Sequence, residues 1–500
     1  MAAVAVDAGT TMIKAVGYDD DGREAVVVRL PTEVSRPRSG WAEQDMTTVW
    51  QVVAASIRNV VSQLQTPVDF VAITSQGDGC WLVDGSGEPT GPAILWNDGR
   101  AGEIVEGWRA EGLLERTFAS NGSLAFAGLP NAILTWLSGN DPERLRASTS
   151  SLTCNGWLFL NLTGVRAVDS SDGAAPFMDI RTRQYDPELF EAYAMPWAKE
   201  LMPEIILDSD RSRPLTADAA LAPGLPAGTA VVMASYDIAA TSLGAGAVLP
   251  GQACSILGTT LCTEVVVDSI DTSGTPAGLS VGLGVEGRYL RALPTLAGGE
   301  VVLWACSMLN CATPDEFTTL ALRSPRGANG LVFHPYLSPA GERAPFLDSS
   351  ARGSFLGLSL EHRREDIARS VLEGLSFVIR DCLEAAGPAP TELRVCGGGA
   401  DNAVWLQLIA SMTGVPVLKL VDTEVGARGA YLLGLTATGI EDTIESAVAA
   451  HVTVRTRFEP VAEDARFYDR HYRDFIDLRT MVSGTWPALA RLRSGQPVTP

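Results

Sequence analysis

The feature that most limits what this 500-residue chain can fold into is a hairpin written twice. Ala2 to Val6 reads as an apolar strand, Asp7 closes it, Gly9-Thr10-Thr11 makes a tight turn, and Met12 to Tyr18 returns. Half a chain later, Ala253 to Leu257, Gly258-Thr259-Thr260 and Leu261 to Val267 repeat the arrangement. Such a turn gathers backbone N–H groups and hydroxyls at one point, with a carboxylate in the first copy, which suits a phosphate and its metal ion. Two copies, each opening one half of the chain, predict an internally duplicated molecule whose turns hold both ends of a polyphosphate across a common cleft.

The pattern between the hairpins predicts α/β layers. A strand at Glu24 to Leu30, an amphipathic helix from Thr47 to about Leu64 and a strand at Val68 to Thr74 give a mixed sheet with a covering helix. In the second half, Ile367, Val371, Leu375, Val378 and Cys382 recur at helical spacing within Arg364 to Ala386. Leu393 to Cys396, then Gly397-Gly398-Gly399, then the spacing of Val404, Trp405, Leu408, Ile409 and Met412 read as strand, glycine turn and helix. A helix from Thr423 to Thr436 carries Gly426, Ala427, Gly429 and Ala430, small residues that permit close backbone approach. Ser338 to Pro345 reads as an exposed loop, and the last fifty residues as a closing helix whose Pro-containing end frays.

Composition narrows the class of partner. The 59 Asp and Glu outnumber the 38 Lys and Arg, a net charge of −21, which argues against a nucleic-acid groove or an anionic membrane surface and leaves room for a metal-compensated nucleotide. The eight cysteines form no CxxC pair and several lie in apolar stretches, so buried free thiols in a reducing compartment are expected. The apolar start lacks a basic segment, so no signal peptide is expected. Thr229 to Leu249 comes nearest to a membrane span, but Asp237 and several glycines interrupt it, and it reads as strand, loop and helix.

Several nucleotide signatures are missing. There is no GxxxxGK[ST], no HRD and no DFG, and Gly282, Gly284 and Gly287 form a GxGxxG without the strand-turn-helix setting it needs. What remains is a set of glycine turns where N–H groups converge on an anion: Asp7 to Thr11, Gly258 to Thr260, Gly298-Gly299 and Gly397 to Gly399. Lys14 either adds positive charge beside the phosphates or faces solvent. Asp237, between an apolar strand and an Ala/Gly-rich segment, is either a helix cap or a buried carboxylate that accepts a hydroxyl proton. Asp78 and Asp98, the latter beside Trp96 and Asn97, suit a polyol whose hydroxyls bond to carboxylates and amides and whose C–H face lies on an indole. Plain turn chemistry is their other reading.

Taken together, Asp7-Ala8-Gly9-Thr10-Thr11 with Lys14, the run Ala93-Ile94-Leu95-Trp96-Asn97-Asp98-Gly99-Arg100, Asp237 before its small-residue helix, Gly341-Glu342-Arg343-Ala344-Pro345 and Gly397-Gly398-Gly399-Ala400 resemble the FGGY family of carbohydrate kinases. The resemblance runs in order from Val4 to about Phe475. It implies an α/β, actin/hexokinase-like (ribonuclease H-like) two-domain ATPase fold with a central cleft. Residues 1–245 would bind the polyol or sugar, 246–475 the nucleotide, and 476–500 would form a tail. It further implies ATP-dependent transfer to an alcohol, with Asp237 as base and Asp7 organising Mg²⁺ through its water shell. Gly9, Thr10, Thr11 and Lys14 would meet the phosphates, and Gly258, Thr259, Gly299, Gly398, Gly399 and Ala400 would lie on the nucleotide side. Gln76, Gly77, Asp78, Trp96, Asn97, Asp98 and Asp237 are the implied acceptor contacts.

Within the family, xylulokinases typically carry Met-His after the glutamine and glycerol kinases Arg-Glu, whereas this chain has Gly77-Asp78. That stretch looks most like erythritol kinases, a branch near L-xylulose and 3-dehydro-L-gulonate kinases. The expected acceptor is therefore a short acyclic polyol, erythritol first, with L-xylulose, D-xylulose and 3-dehydro-L-gulonate as alternatives. A nucleotide-dependent sensor or an actin-like protein is the non-enzymatic alternative. The expected partners are the polyol or sugar and ATP, with no nucleic acid and no membrane, in the cytoplasm; a homodimer follows only from the commonness of two-fold assemblies.

Overall fold

The opening strand, Ala2–Ala8, is buried along nearly its whole length, as a central strand covered on both faces must be. In the computed structural model, which describes residues 2–274 and 276–494, it sits in a six-stranded sheet. The order is Ser212–Pro214, Ala230–Met233, Val68–Ser75, Ala2–Ala8, Met12–Tyr18 and Glu24–Pro31. Val68–Ser75 runs parallel to both Ala2–Ala8 and Ala230–Met233, while the hairpin partners run antiparallel. Alternation along the second strand shows the two covering layers: a Cβ at Gly17 would lie 2.8 Å from Val60 of the helix Met46–Val61, whereas Tyr18 stacks on Tyr431 of the helix Val425–Ala437, with ring centroids 4.1 Å apart. The helix Met46–Val61 starts where Asp45 accepts the Thr48 N–H, and it buries Val49, Val53, Ile57 and Val60.

A second compact unit repeats the plan. Gln252–Leu257 pairs antiparallel with Leu261–Val267 and parallel with Glu392–Cys396, which pairs parallel with Val417–Leu420 and through it with Val454–Phe458. Arg364–Ala386, the longest helix among the described residues, packs against Pro314–Ala321 and Ala403–Thr413. All eight cysteines are buried and free of disulfides. Among the described residues no helix is long and apolar enough to cross a membrane, and Thr229 to Leu249 is a strand, Ala230–Met233, followed by the helix Asp237–Gly244.

Chain order and compact units do not coincide. The expected division at residues 245 and 246 is contiguous, but residues 266–290 and 424–452 cluster with the first unit. The helix Val425–Ala437 explains the return, because its small residues meet the helix Asp237–Gly244 at backbone distance. A Cβ at Gly429 would lie 1.8 Å from the Ala240 carbonyl oxygen, and one at Gly244 would lie 1.9 Å from that of Val425. Two expectations are corrected. Gly341 to Pro345 is no exposed loop: Glu342 is buried, because its carboxylate accepts the Leu296 and Arg343 N–H groups at 2.7 and 2.9 Å and so holds the turn. The segment from residue 476 is no tail at its start, since the helix Ala462–Ser483 continues through it, Arg479 pairs with Asp381, and Trp486 is buried against Phe346. Residues 495–500 lie outside the described residues.

The helix contact yields a direct test. Gly429→Ala should lower the unfolding free energy by roughly 2–3 kcal/mol in urea, as overpacking against backbone does. Gly107→Ala, at an exposed helical position with nothing within 4 Å, should leave stability unchanged or raise it by up to about 1 kcal/mol.

Candidate active site

Asp7 and Lys14 are cross-strand partners in the first hairpin, so their side chains share a face. The Lys14 ammonium lies 3.5 Å from Asp7 Oδ2 and 3.2 Å from Glu424 Oε2. The turn is closed by the Gly9 N–H donating to the Met12 carbonyl at 3.1 Å. Thr10 is fixed from several sides. Its hydroxyl donates to Gln76 Oε1 at 2.8 Å and accepts from Trp96 Nε1 at 3.0 Å, and its carbonyl accepts from Gln44 Nε2 and the Thr32 hydroxyl, each at 2.8 Å. Gln76 Nε2 donates in turn to Gln44 Oε1 at 2.7 Å. Thr11, at the tip, is exposed.

Asp237 opens the helix Asp237–Gly244. The strand end before it is pinned by the Thr74 hydroxyl on the Ser235 carbonyl at 2.6 Å, Asn155 Nδ2 on the Ala234 carbonyl at 2.7 Å, and the Tyr236 N–H on the Ser171 hydroxyl at 2.9 Å. Burial pushes the Asp237 carboxyl up to about 8, and the nearby charges of Asp7 and Asp78 push the same way, while the Ile238 N–H and Lys14 oppose them. Burial also raises Asp7, against the pull of Lys14. A carboxylate held near neutrality, at a helix N-terminus and beside other acids, has the properties of a general base.

The surrounding wall is acidic. Asp78 adopts a left-handed φ of 55°, uncommon for a non-glycine residue, and Gly77 before it leaves room for the Tyr236 ring, which a Cβ there would meet at 2.1 Å. Asp172 is buried, accepts the Thr153 hydroxyl at 2.9 Å through Oδ2, and has no hydrogen-bond partner on Oδ1. Burial and the neighbouring Asp169 hold its carboxyl well above the usual range.

In the second unit, a cavity of about 450 Å³ is lined by Gly258, Thr259, Gly299, Gly398 and Gly399, with Trp405 among the other walls. The Gly299 N–H donates to the Gly258 carbonyl at 2.8 Å, and a Cβ at Gly299 would come within 2.6 Å of that oxygen. Trp405 is held by its Nε1 on the Ser376 hydroxyl at 3.1 Å. The glycine turns and an indole leave a cavity of nucleotide size.

The expected residues therefore divide. Asp7, Gly9, Thr10, Lys14, Gln76 and Trp96 come together, as do the five glycine-side residues around the second cavity. Asp98 does not present its carboxylate: both oxygens are taken, by Arg100 Nε at 2.9 Å and by the Ala42 N–H at 2.6 Å, so it braces the loop. Gln76 is buried and engaged at both ends, its Oε1 by Thr10 and its Nε2 by Gln44, so it supports the first hairpin's turn. Asn97 is exposed, and Ala400 is buried and absent from the cavity wall, because the turn points its side chain inward. Sequence reasoning missed Gln44, Asp172, Glu424 and Trp405. Glu424 had a usable signal, an acid just ahead of a small-residue helix, as at Asp237; Gln44 had none.

Models of the FGGY family of carbohydrate kinases match the chain, the N-terminal domain over residues 2–244 and the C-terminal domain over 253–438. The chain is 32% identical to an erythritol kinase of Brucella abortus, covering 97% of each. It is 30% identical to an L-xylulose/3-keto-L-gulonate kinase of Escherichia coli, covering 87% of this chain and 88% of that one. Its fold is similar to the crystal structure of ligand-bound xylulose kinase from Lactobacillus acidophilus, with a TM-score of 0.93 at 23% identity over 98% of this chain and 99% of that one.

The raised Asp237 carboxyl has a consequence for stability. Its folded value, about 8, lies above that of an unfolded aspartate, so between about pH 4 and about pH 8 the folded protein keeps a proton that the unfolded chain has released, and stability falls progressively across that window. Asp237→Asn removes the loss. Urea unfolding at pH 8 should find the variant more stable than the parent by at least about 1 kcal/mol, with the gap closing toward pH 5. Equal stabilities at pH 8 would mean a charged, solvated carboxylate.

Proposed function

We propose, from the premise that this chain belongs to the FGGY family of carbohydrate kinases, that it transfers the terminal phosphoryl group of ATP to a hydroxyl of a short neutral polyol, erythritol first. The observation that carries the reading is Asp237, a half-buried carboxyl raised to about 8 at a helix N-terminus, with Asp7 and Asp78 nearby. Asp237 accepts the proton of the attacking hydroxyl. Asp7, Gly9, Thr10, Thr11 and Lys14 meet the transferred phosphoryl group and its neighbour. Gly258, Thr259, Gly299, Gly398 and Gly399 bind the remainder of the nucleotide. Transfer is in line, and N–H groups with Lys14 stabilise the charge that develops on the phosphoryl oxygens.

Mg²⁺ fits this donor set. Among the described residues no group of three or more His, Cys, Asp or Glu could hold a metal ion, and the first hairpin offers the Asp7 carboxylate beside hydroxyls and N–H groups. One carboxylate plus phosphate oxygens and water is the usual surrounding of a nucleotide-borne Mg²⁺, which supplies charge neutralisation at the phosphates when bound. Positive charge brought to Asp7 also removes the repulsion that helps keep Asp237 protonated.

The acceptor class follows from wall chemistry. Asp78 accepts hydrogen bonds from hydroxyls and repels a substrate carboxylate, which places a neutral tetritol ahead of 3-dehydro-L-gulonate. The similarity to the Brucella abortus erythritol kinase supports the same order, and the Escherichia coli relative keeps L-xylulose as the second reading.

A coupled ADP-release assay with MgATP across erythritol, threitol, glycerol, ribitol, D-xylulose, L-xylulose and 3-dehydro-L-gulonate tests the proposal. Erythritol should give the highest kcat/KM, at least about tenfold above the acidic sugar. A preference for the acid would overturn the substrate reading, and nucleotide binding without acceptor-dependent turnover would favour the sensor.

A further inference from the structure

We infer that Glu424 is a positioning residue for phosphoryl transfer, holding the Lys14 ammonium beside Asp7 and keeping it from closing onto Asp7 alone. The inference rests on the reading that Lys14 serves the transferred phosphoryl group. Asp7, Lys14 and Arg29 are successive cross-strand partners on three adjacent strands, so three charged side chains form a row on one face of the sheet. Lys14 and Arg29 stand opposite each other, and two cations in that relation repel. Glu424 answers both. Its Oε2 lies 3.2 Å from Lys14 Nζ, while its Oε1 accepts from Arg29 Nε at 2.8 Å and from the second Arg29 nitrogen at shorter range.

The carboxylate is only 5% exposed, so its charge acts with little screening by solvent. Its place is fixed by backbone, because Glu424 caps the helix Val425–Ala437 and its carbonyl accepts the Arg428 N–H at 2.9 Å. Gly426, two residues on, allows that helix end to reach the hairpin: a Cβ there would lie 2.9 Å from Asp7 Oδ2.

The four charges sum to zero, and the ammonium is shared between two acids. Without Glu424 the lysine would face Arg29 unshielded and have Asp7 as its remaining counter-ion, and an Asp7 neutralised by Lys14 is a poorer anchor for a cation carried by the nucleotide. A lysine stem is flexible, and fixing its head between two carboxylates settles part of its ordering before the reaction begins.

A double-mutant cycle read by steady-state kinetics tests this, with MgATP and erythritol, or the panel acceptor that the wild type turns over fastest. Glu424→Gln should lower kcat about tenfold with KM for the acceptor changed less than about twofold, and Lys14→Met should lower kcat about a hundredfold. The double variant should fall within about threefold of Lys14→Met, because Glu424 acts through Lys14. Glu424→Asp, which keeps the charge, should recover kcat to within about threefold of wild type. Losses that multiply, to about a thousandfold, would overturn the inference, as would a Glu424→Gln effect confined to KM. If Glu424→Gln does not fold, Glu424→Met, which also removes the charge, takes its place in the cycle and is decided by the same comparison. A wild type inactive on every acceptor would overturn the functional reading and this one together, whereas an active wild type with multiplying losses would overturn this one alone.

Discussion

Two helices that touch through their backbones set the geometry of the first unit. Asp237–Gly244 and Val425–Ala437 approach so closely that Gly244 and Gly429 have no room for a side chain, each facing a carbonyl oxygen of the other helix. Contacts of this kind leave little slack, because neither side has flexible side chains that could yield. One helix begins with Asp237, and the other is capped by Glu424, which holds Lys14 beside Asp7. The candidate base and the charges around the first hairpin are thus carried on one frame, although nearly two hundred residues separate the two helices in the chain.

That frame confines like charges. Asp7, Asp78 and Asp237 each disfavour ionisation of a neighbour, and burial adds to the effect at Asp7 and Asp237. Such an arrangement costs stability and is useful where a carboxyl must exchange a proton near neutral pH. Lys14 supplies the local positive charge, and any cation arriving with a nucleotide would act in the same direction. The two hairpins share a backbone plan and differ in this chemistry. The first places Asp7 opposite Lys14, whereas the second places Ile256 opposite Cys262 and contributes glycine-turn residues to a cavity. A duplicated element has kept its turn in both copies while the charged pair stands in one alone.

Much of this was legible in the sequence because it depends on local rules. The hairpins, the helix Arg364–Ala386 and the small-residue helix follow from periodicity and from glycine placement, and their observed bounds fall close to the expected ones. Asp7, Lys14 and Asp237 stood out as candidates from their settings in the sequence, and the resemblance to the FGGY kinases gave each a proposed role. What local rules could not supply was the use to which each polar side chain is put. Asp98 looked like a hydroxyl acceptor and is occupied by Arg100 and Ala42, while Gln76 is committed to Thr10 and Gln44. Glu342 looked exposed and is buried, because its carboxylate serves as an internal clasp for two N–H groups. Those outcomes depend on which distant segment arrives beside each residue. The return of residues 424–452 to the first unit is the same lesson at the scale of the fold.

The central claim is that the Asp237 carboxylate takes the proton from the acceptor hydroxyl. The most direct test is a rapid-quench measurement of the single-turnover transfer rate in Asp237→Asn with MgATP bound. The account predicts a fall of roughly a hundred- to ten-thousandfold with nucleotide affinity essentially unchanged. Transfer within about threefold of the wild-type rate would contradict it.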